Sequence, residues 1–116
     1  MDDKIEKAFN VANYMATLSN QRRIILEEFN QQLIYYINGA TFKVSPELIS
    51  FTKTVLELAH TCDVVFVDSN NFPTIIEDVA EFFDNIVSIY FEAINAYSAK
   101  ITAINSKRNV ESIVEL

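Results

Sequence analysis

The pair of side chains that could act as a nucleophile and its base is Cys62 and His60. They are the single cysteine and the single histidine of the 116 residues, and a thiol beside an imidazole is the arrangement of a cysteine nucleophile with its base. The structural alternative places His60 at the end of a predicted helix, where a cation complements the helix dipole. No loop typical of an oxyanion hole accompanies the pair. We therefore assign no catalytic residue and predict that the protein is not an enzyme.

A run of carboxylates raises a second possibility, a metal site. The carboxylates are those of Asp63, Asp68, Glu77, Asp78, Glu81 and Asp84. The segment from Asp68 to Asn71 resembles part of a calcium loop, but it lacks the glycine at the sharp bend and the bidentate glutamate at the correct distance. Turn formation by Asp68 and helix capping by Asp78 explain these residues without an ion. We expect no metal and no cofactor.

Composition bounds the partners and the compartment. The net charge is −7, which is the wrong sign for gripping phosphate backbones, so no nucleic-acid partner is predicted. The single glycine excludes Gly-rich phosphate loops. The first ten residues lack a basic segment followed by an apolar one, and no apolar run approaches the roughly 18 residues of a membrane span. With one cysteine, these features predict the cytoplasm of whichever cell makes the protein and no membrane partner.

The local signal with the clearest structural consequence is Asn38-Gly39, between two β-rich runs. Asn-Gly favours a type I′ turn, which needs positive φ at both central residues. This turn fixes the hairpin register, so that Ile37 opposes Ala40 and Tyr35 opposes Phe42. Extending the ladder by one more pair sets Leu33 against Val44, and these six residues share one face.

Three helices and a second hairpin complete the predicted architecture. A first helix covers residues 3–29 with an apolar stripe of Ile5, Phe9, Ala12 and Ala16, widened by Val11, Met15 and Leu18. Ser45 and Pro46 begin a second helix that ends near His60 and buries Leu48, Phe51, Val55 and Leu58. Residues 64–67 and 74–76 form the second hairpin, which could merge with the first into one antiparallel sheet. Asp78 and Glu81 form a capping box that begins a last helix running to about residue 107, with an apolar stripe of Val79, Phe83, Ile86, Tyr90, Ala93 and Tyr97.

The fold class is therefore α+β: long N- and C-terminal helices packed with a central helix and two β-hairpins. We expect one domain over residues 1–108 and an apolar-acidic tail over residues 109–116. The last helix would be roughly 42 Å long, against about 30 Å for the diameter of a compact domain of this size. Its far half must lie against the first helix or against a second subunit.

Two groups of residues are candidates for protein contacts. Phe91 and Tyr36 are expected to be exposed and, with Ile34, to form an apolar patch. The tail residues Val110, Ile113, Val114 and Leu116 could add a strand to a partner, dock in a groove, or fold back on their own domain.

The segments MATLSNQRRIILEEFNQQLIYYINGATFKVSPELISFTKTVLEL and SKRNVESIVEL resemble a family of small uncharacterised proteins of T-even-like myophages of marine bacteria and cyanobacteria. The resemblance covers nearly the whole chain. It implies a phage-encoded viral protein in the cytoplasm of the host bacterial cell, a minor component of the prohead core or virion. The shared motifs are structural, so the resemblance carries no active-site residue.

Three functional hypotheses follow from these observations. The first is a non-enzymatic structural or assembly protein that forms homo-oligomers through its long helices. The second is an acidic regulator or inhibitor that binds a host or phage protein, by nucleic-acid mimicry if its carboxylates form one face. The third is a small enzyme or ligand-binding domain, which requires His60 or the carboxylates near Asp63 to line a cavity.

Overall fold

A computed structural model describes the backbone of residues 2–115 and the side chains of residues 3–106. The elements, in chain order, are α1 (Asp2–Gln32), β1 (Ile34–Ile37), β2 (Ala40–Lys43), α2 (Pro46–Glu57), β3 (Cys62–Val67), β4 (Pro73–Asp78) and α3 (Val79–Glu115). The α+β class predicted from the sequence is confirmed. The chain forms two compact units: a helical unit of Met1–Glu28 with Ala96–Leu116, and an α+β unit of Phe29–Asn95.

The first hairpin of the α+β unit has the predicted turn and register. Asn38 and Gly39 have φ values of 52° and 77°, as a type I′ turn requires. Ile37 pairs with Ala40 and Tyr35 with Phe42. A Cβ built on Gly39 meets no atom within 4 Å. The glycine is therefore required by the backbone conformation and not by a close neighbour.

Helix α2 begins as predicted but buries a different face. The Ser45 side chain accepts a hydrogen bond from the Leu48 N–H at 3.1 Å, and Pro46 occupies the first turn. Phe51 is exposed, contrary to the prediction. Thr52 is fully buried in its place, and its hydroxyl donates to the Leu48 carbonyl at 2.7 Å. Because this bond satisfies the hydroxyl, a threonine can lie on the core face without an unpaired polar atom.

The end of α2 also corrects the predicted boundary near His60 and the predicted burial of Leu58, which is exposed as the C-cap. The His60 N–H bonds to the Val55 carbonyl at 3.1 Å, and the Ala59 N–H bonds to the Leu56 carbonyl at 2.9 Å. This pair of bonds is the Schellman motif. Ala59 has a φ of 66°, in the left-handed region that disfavours a Cβ.

We expect Ala59→Gly to stabilise the protein by about 1 kcal/mol, because glycine adopts the left-handed conformation without the steric cost that alanine carries. Urea unfolding followed by circular dichroism measures the change in the free energy of unfolding. The matched control is Ala99→Gly at an exposed position of α3, where glycine should instead cost about 1 kcal/mol. Equal destabilisation by both substitutions would contradict the argument.

The two hairpins do not merge into one sheet but form two separate two-stranded sheets. The loop between β3 and β4 occupies the outer edge of β2 and takes its hydrogen bonds. Asp68 Oδ2 accepts from the Thr41 N–H at 3.1 Å, the Ser69 N–H donates to the Thr41 carbonyl at 2.8 Å, and Ser69 Oγ accepts from the Lys43 N–H at 2.8 Å. A loop, rather than a strand, therefore forms the hydrogen bonds of the outward backbone groups of β2.

The core of the α+β unit lies between the hairpins, α2 and the first turns of α3. Asp78 caps α3 as predicted, with Oδ1 accepting from the Glu81 N–H at 3.1 Å. The central aromatic ring is that of Phe82, whereas the half-buried Phe83 had been predicted for the core stripe. The buried residues are Leu33, Ala40, Phe42, Val44, Val55, Phe66, Ile76, Val79, Phe82, Ile86 and Ala93.

Candidate interaction surfaces

In the helical unit, one face of α1 lies against α3. Leu18 is buried, and half-buried residues flank it at helical spacing: Tyr14, Gln21, Arg22 and Ile25. Polar contacts fix the antiparallel register. Arg22 Nη2 donates to Asn105 Oδ1 at 3.2 Å, and Lys100 Nζ pairs with Glu28 Oε2 at 2.8 Å. The first helix is therefore an intramolecular partner for the far part of α3, one of the two partners expected for it.

Most of the apolar stripe predicted for α1 is exposed, and of its members only Leu18 is buried. Ile5, Phe9, Ala12 and Ala16 are all exposed, with 66% of Phe9 accessible. Leu18 is nine positions after Phe9, and at about 100° per residue the two side chains lie on opposite sides of the helix. Helix α1 is thus apolar on two sides. A repeating apolar spacing shows that a face exists, but not which of two faces meets the fold.

The exposed stripe continues into a groove of the helical unit. Ser19 and Arg23 follow Ala12 and Ala16 at spacings of three and four residues, which keeps them on the same side of α1. The groove has a volume of about 520 Å³ and is lined by Ser19, Arg22, Arg23, Leu26, Tyr97, Ile101 and Asn105. A second groove of about 320 Å³ is lined by Gln21, Ile24, Ile25, Ala103 and Ile104. Both grooves offer apolar walls to a further helix.

The charge of the chain is divided unequally between the two units. Residues 29–95 hold nine acidic and two basic residues, so this range carries a net charge of −7, which equals that of the whole chain. Residues 1–28 and 96–116 hold seven acidic and seven basic residues, for a net charge of zero. The two basic residues of the α+β unit are Lys43 and Lys53, and no lysine or arginine occurs between Lys53 and Lys100.

A second apolar surface lies on the hairpin of β3 and β4. Val65 pairs with Ile75, and Val67 pairs with Pro73. All four residues are exposed, while Phe66, between the two valines, and Ile76, next to Ile75, are buried. We call these four residues the outer face of β3–β4. The sequence did not predict this face, because strands with apolar residues on both sides show no alternation that separates buried from exposed positions.

The residues predicted to contact partners are only partly described. Tyr36 is 74% exposed on β1, and Phe91 is 55% exposed on α3, with its ring 5.7 Å from that of Tyr90. Ile34 is half-buried. The predicted tail residues lie outside the described side chains: Val110, Ile113, Val114 and Leu116. Their predicted role stays a prediction.

The polar residues that could take part in chemistry are either exposed or hydrogen-bonded to backbone groups. His60 and Cys62 are exposed on either side of Thr61. Asp68 is 6% exposed, and its Oδ1 accepts from the Phe72 N–H at 2.8 Å and the Asn70 N–H at 2.9 Å. Bonds from the Phe72 and Thr41 N–H groups are the main causes that lower the pKa of Asp68; burial opposes them with a smaller effect, and the bond from the Asn70 N–H lowers the pKa further. Its carboxylate is thus committed to turn formation.

Three of the five remaining carboxylates lie at a depression of about 170 Å³ in the α+β unit, and Asp63 and Asp84 are not part of its lining. Its lining includes Glu77, Asp78 and Glu81, with Asn85 donating to the Tyr35 hydroxyl at 3.1 Å beside them. Within the described side chains, no group of three or more histidine, cysteine, aspartate or glutamate residues is arranged to hold a metal ion.

None of the helices in the described part of the chain carries an apolar stretch of the length that crosses a membrane.

Comparison of the chain with protein-family models, curated proteins and solved structures gives no match.

Proposed function

We propose that this protein is a non-enzymatic assembly protein that forms a homo-oligomer through its long helices. The observation that carries the proposal is the exposed stripe of α1, which is continuous with the groove beside Leu26. An apolar helix face of this kind is stabilised when it packs against another helix. The occupant is a second copy, because the helical unit has no net charge and two copies meet there without like-charge repulsion.

The geometry of the stripe favours an antiparallel arrangement of two α1 helices. A two-fold axis near Ala16 sets Phe9 of each chain opposite the groove of the other, between Ser19 and Leu26. Ala12 and Ala16 then lie at the crossing point, where small side chains allow two helices to approach closely. The contact is self-complementary, as a two-fold dimer interface requires.

We expect Phe9→Lys to convert the oligomer to a monomer, because the substitution places an ammonium group in an apolar contact, beside Arg22 and Arg23 of the facing groove. Size-exclusion chromatography with light scattering gives the molar mass, to be compared with 13.3 kDa for one chain. The matched control is Phe91→Lys, which changes an exposed phenylalanine of the other unit and should leave the molar mass unchanged.

Two outcomes would overturn the proposed function. One is a monomeric wild-type protein over the whole concentration series. The other is an unchanged oligomer in Phe9→Lys. A version ending at Arg108 tests the tail separately: loss of the oligomer in this version alone would move the contact to Val110–Leu116.

The resemblance to phage proteins directs this proposal towards virion assembly, as a minor component of the prohead core or the particle. Self-association of a small helical protein suits such a role. Mass spectrometry of purified phage particles decides this extension, because a virion protein must be recovered with the particles at a reproducible copy number.

A second candidate function is favoured by the charge distribution. A net charge of −7 confined to residues 29–95 fits an acidic regulator that binds a basic protein, because complementary charge steers and aligns two partners. This function uses the α+β unit and not the stripe of α1, so both functions are compatible with one chain.

A further inference from the structure

We propose that the outer edge of β3 binds an extended segment of a basic partner protein by strand addition. This inference deepens the second candidate function, since it gives the acidic unit a contact surface, and it does not depend on self-association through α1. Strand addition requires an open strand edge with unpaired backbone groups and side-chain contacts for alternate residues of the incoming segment.

The hydrogen-bond pattern of the hairpin identifies the open edge. The Asp68 N–H donates to the Phe72 carbonyl at 2.9 Å, so the backbone N–H of Asp68 points towards the opposite side of the hairpin. Backbone groups of successive residues alternate in direction, which turns the N–H and C=O groups of Val65 and Val67 outward. The Asn38 side chain bonds to the Ile75 carbonyl at 3.3 Å, which agrees with this alternation, since Ile75 pairs with Val65.

The four outer strand edges of the two hairpins differ in how they are satisfied. At the β2 edge, outward backbone N–H groups donate to the side chains of Asp68 and Ser69. At the β4 edge, the Asn38 side chain donates to a backbone carbonyl. The β1 edge is open but short, with four residues. A short edge strand is one device against strand pairing.

The β3 edge is open at Val65 and Val67, which are 58% and 62% exposed. Asp63 has a φ of 53° and interrupts the regular strand, so the open edge begins after this residue. In the described part of the chain, no side chain or neighbouring strand beyond β4 bonds to the backbone groups of Val65 and Val67. An apolar edge of this kind is a template for another strand.

Charge determines which strand it accepts. A second copy would bring together two units that each carry −7, and like charges at close range oppose association. Exposed carboxylates flank the hairpin at Asp63 and Glu77, and residues 54–99 contain no lysine or arginine. The fitting occupant is therefore an extended segment with alternating apolar side chains and lysine or arginine beside them.

The test uses a fluorescent synthetic peptide in which valine alternates with lysine, titrated into the full-length protein and followed by polarisation. We expect Val67→Pro to weaken binding by about tenfold, because proline removes one outward N–H and its bond to the peptide. The ladder to β4 is retained, since this N–H takes no part in it. Tyr36→Pro is the matched control, with an outward N–H on the β1 edge, and should bind like the wild type.

Hydrogen exchange gives a direct second readout that needs no variant. The amides of Val65 and Val67 should exchange rapidly in the protein alone and become protected when the peptide is bound. If the proline variant fails to fold, peptide binding is measured with Val67→Lys, and Phe91→Lys is its control. Val67→Lys should abolish measurable binding, whereas Phe91→Lys should not.

Each other outcome overturns the inference in a distinguishable way. Equal binding by wild type and Val67→Pro, with binding of the peptide lost in high salt, would leave an acidic regulator whose partner contacts a different surface. Loss in Tyr36→Pro alone would move the site to β1. A molar mass that falls in Val67→Pro would make the occupant a second copy. No binding of the peptide by the wild type would contradict both the site and the second candidate function.

Discussion

Replacing Phe82 with alanine is expected to lower the free energy of unfolding by about 3–5 kcal/mol, the usual cost of truncating a buried phenylalanine. Phe82 is 1% exposed. Its ring centroid lies 5.2 Å from Phe42 on the first hairpin, 5.2 Å from Phe66 on the second and 5.9 Å from Tyr35. The Phe82 side chain thus contacts residues of both sheets. Its removal leaves a cavity between two sheets that are not connected by strand pairing.

Urea unfolding followed by circular dichroism measures this loss, with Phe83→Ala as the matched control. Phe83 is the same residue type one position along the helix, and it is half-buried. Its truncation should cost about 1–2 kcal/mol, since less apolar area leaves water there. Equal costs for the two variants would contradict the assignment of Phe82 to the centre of the core.

Asp68→Asn is expected to lower the thermal midpoint of unfolding at neutral pH on the order of 10 °C, because bonds to a charged acceptor are among the stronger ones. The Asp68 carboxylate accepts three backbone N–H bonds, two within its own loop and one from Thr41. An asparagine has one acceptor oxygen, and its NH₂ group would face a backbone N–H. The substitution therefore loosens the loop that occupies the β2 edge.

The pH dependence of this variant has a definite sign. The pKa of Asp68 is lowered in the folded protein, so its contribution to stability is complete above the unfolded-state pKa of about 3.9. The contribution is lost as the pH falls through the lower folded-state pKa. Thermal unfolding of wild type and variant should therefore converge in strong acid.

Asp63→Asn is the control for Asp68→Asn, since it makes the same charge change in the same hairpin. Asp63 is exposed and has a φ of 53°, a conformation that asparagine also tolerates. Its thermal midpoint should change little. A deficit of Asp68→Asn that persisted undiminished in strong acid would show that the carboxylate charge is not the source of the stability.

The two proposed surfaces share a physical feature, since each is an apolar face that the chain's own elements leave exposed. They differ in the charge around them, which is balanced in the helical unit and strongly negative in the α+β unit. Charge is therefore the basis on which we propose a second copy for the stripe of α1 and a basic partner for the β3 edge. The variants Phe9→Lys and Val67→Pro test the two proposals separately.

Much of the local structure is determined by the sequence alone. Asn38-Gly39 specifies the turn and register of the first hairpin, Ser45 with Pro46 begins α2, and Asp78 caps α3. Each of these signals is satisfied within about four residues, by a dihedral preference or by one side-chain bond to the backbone. Distant parts of the chain are not needed to determine these features.

Only the tertiary structure decides which apolar faces are buried. Neighbouring positions of similar apolarity compete, as Phe82 and Phe83 do on α3, and as Phe9 and Leu18 do on α1. The role of Asp68 likewise depends on Thr41, 27 residues earlier in the chain. Burial depends on what packs against a face, and that partner comes from another element whose position no local pattern specifies. For this reason the sequence predicted the elements of this protein, but not the two exposed surfaces from which its function is proposed.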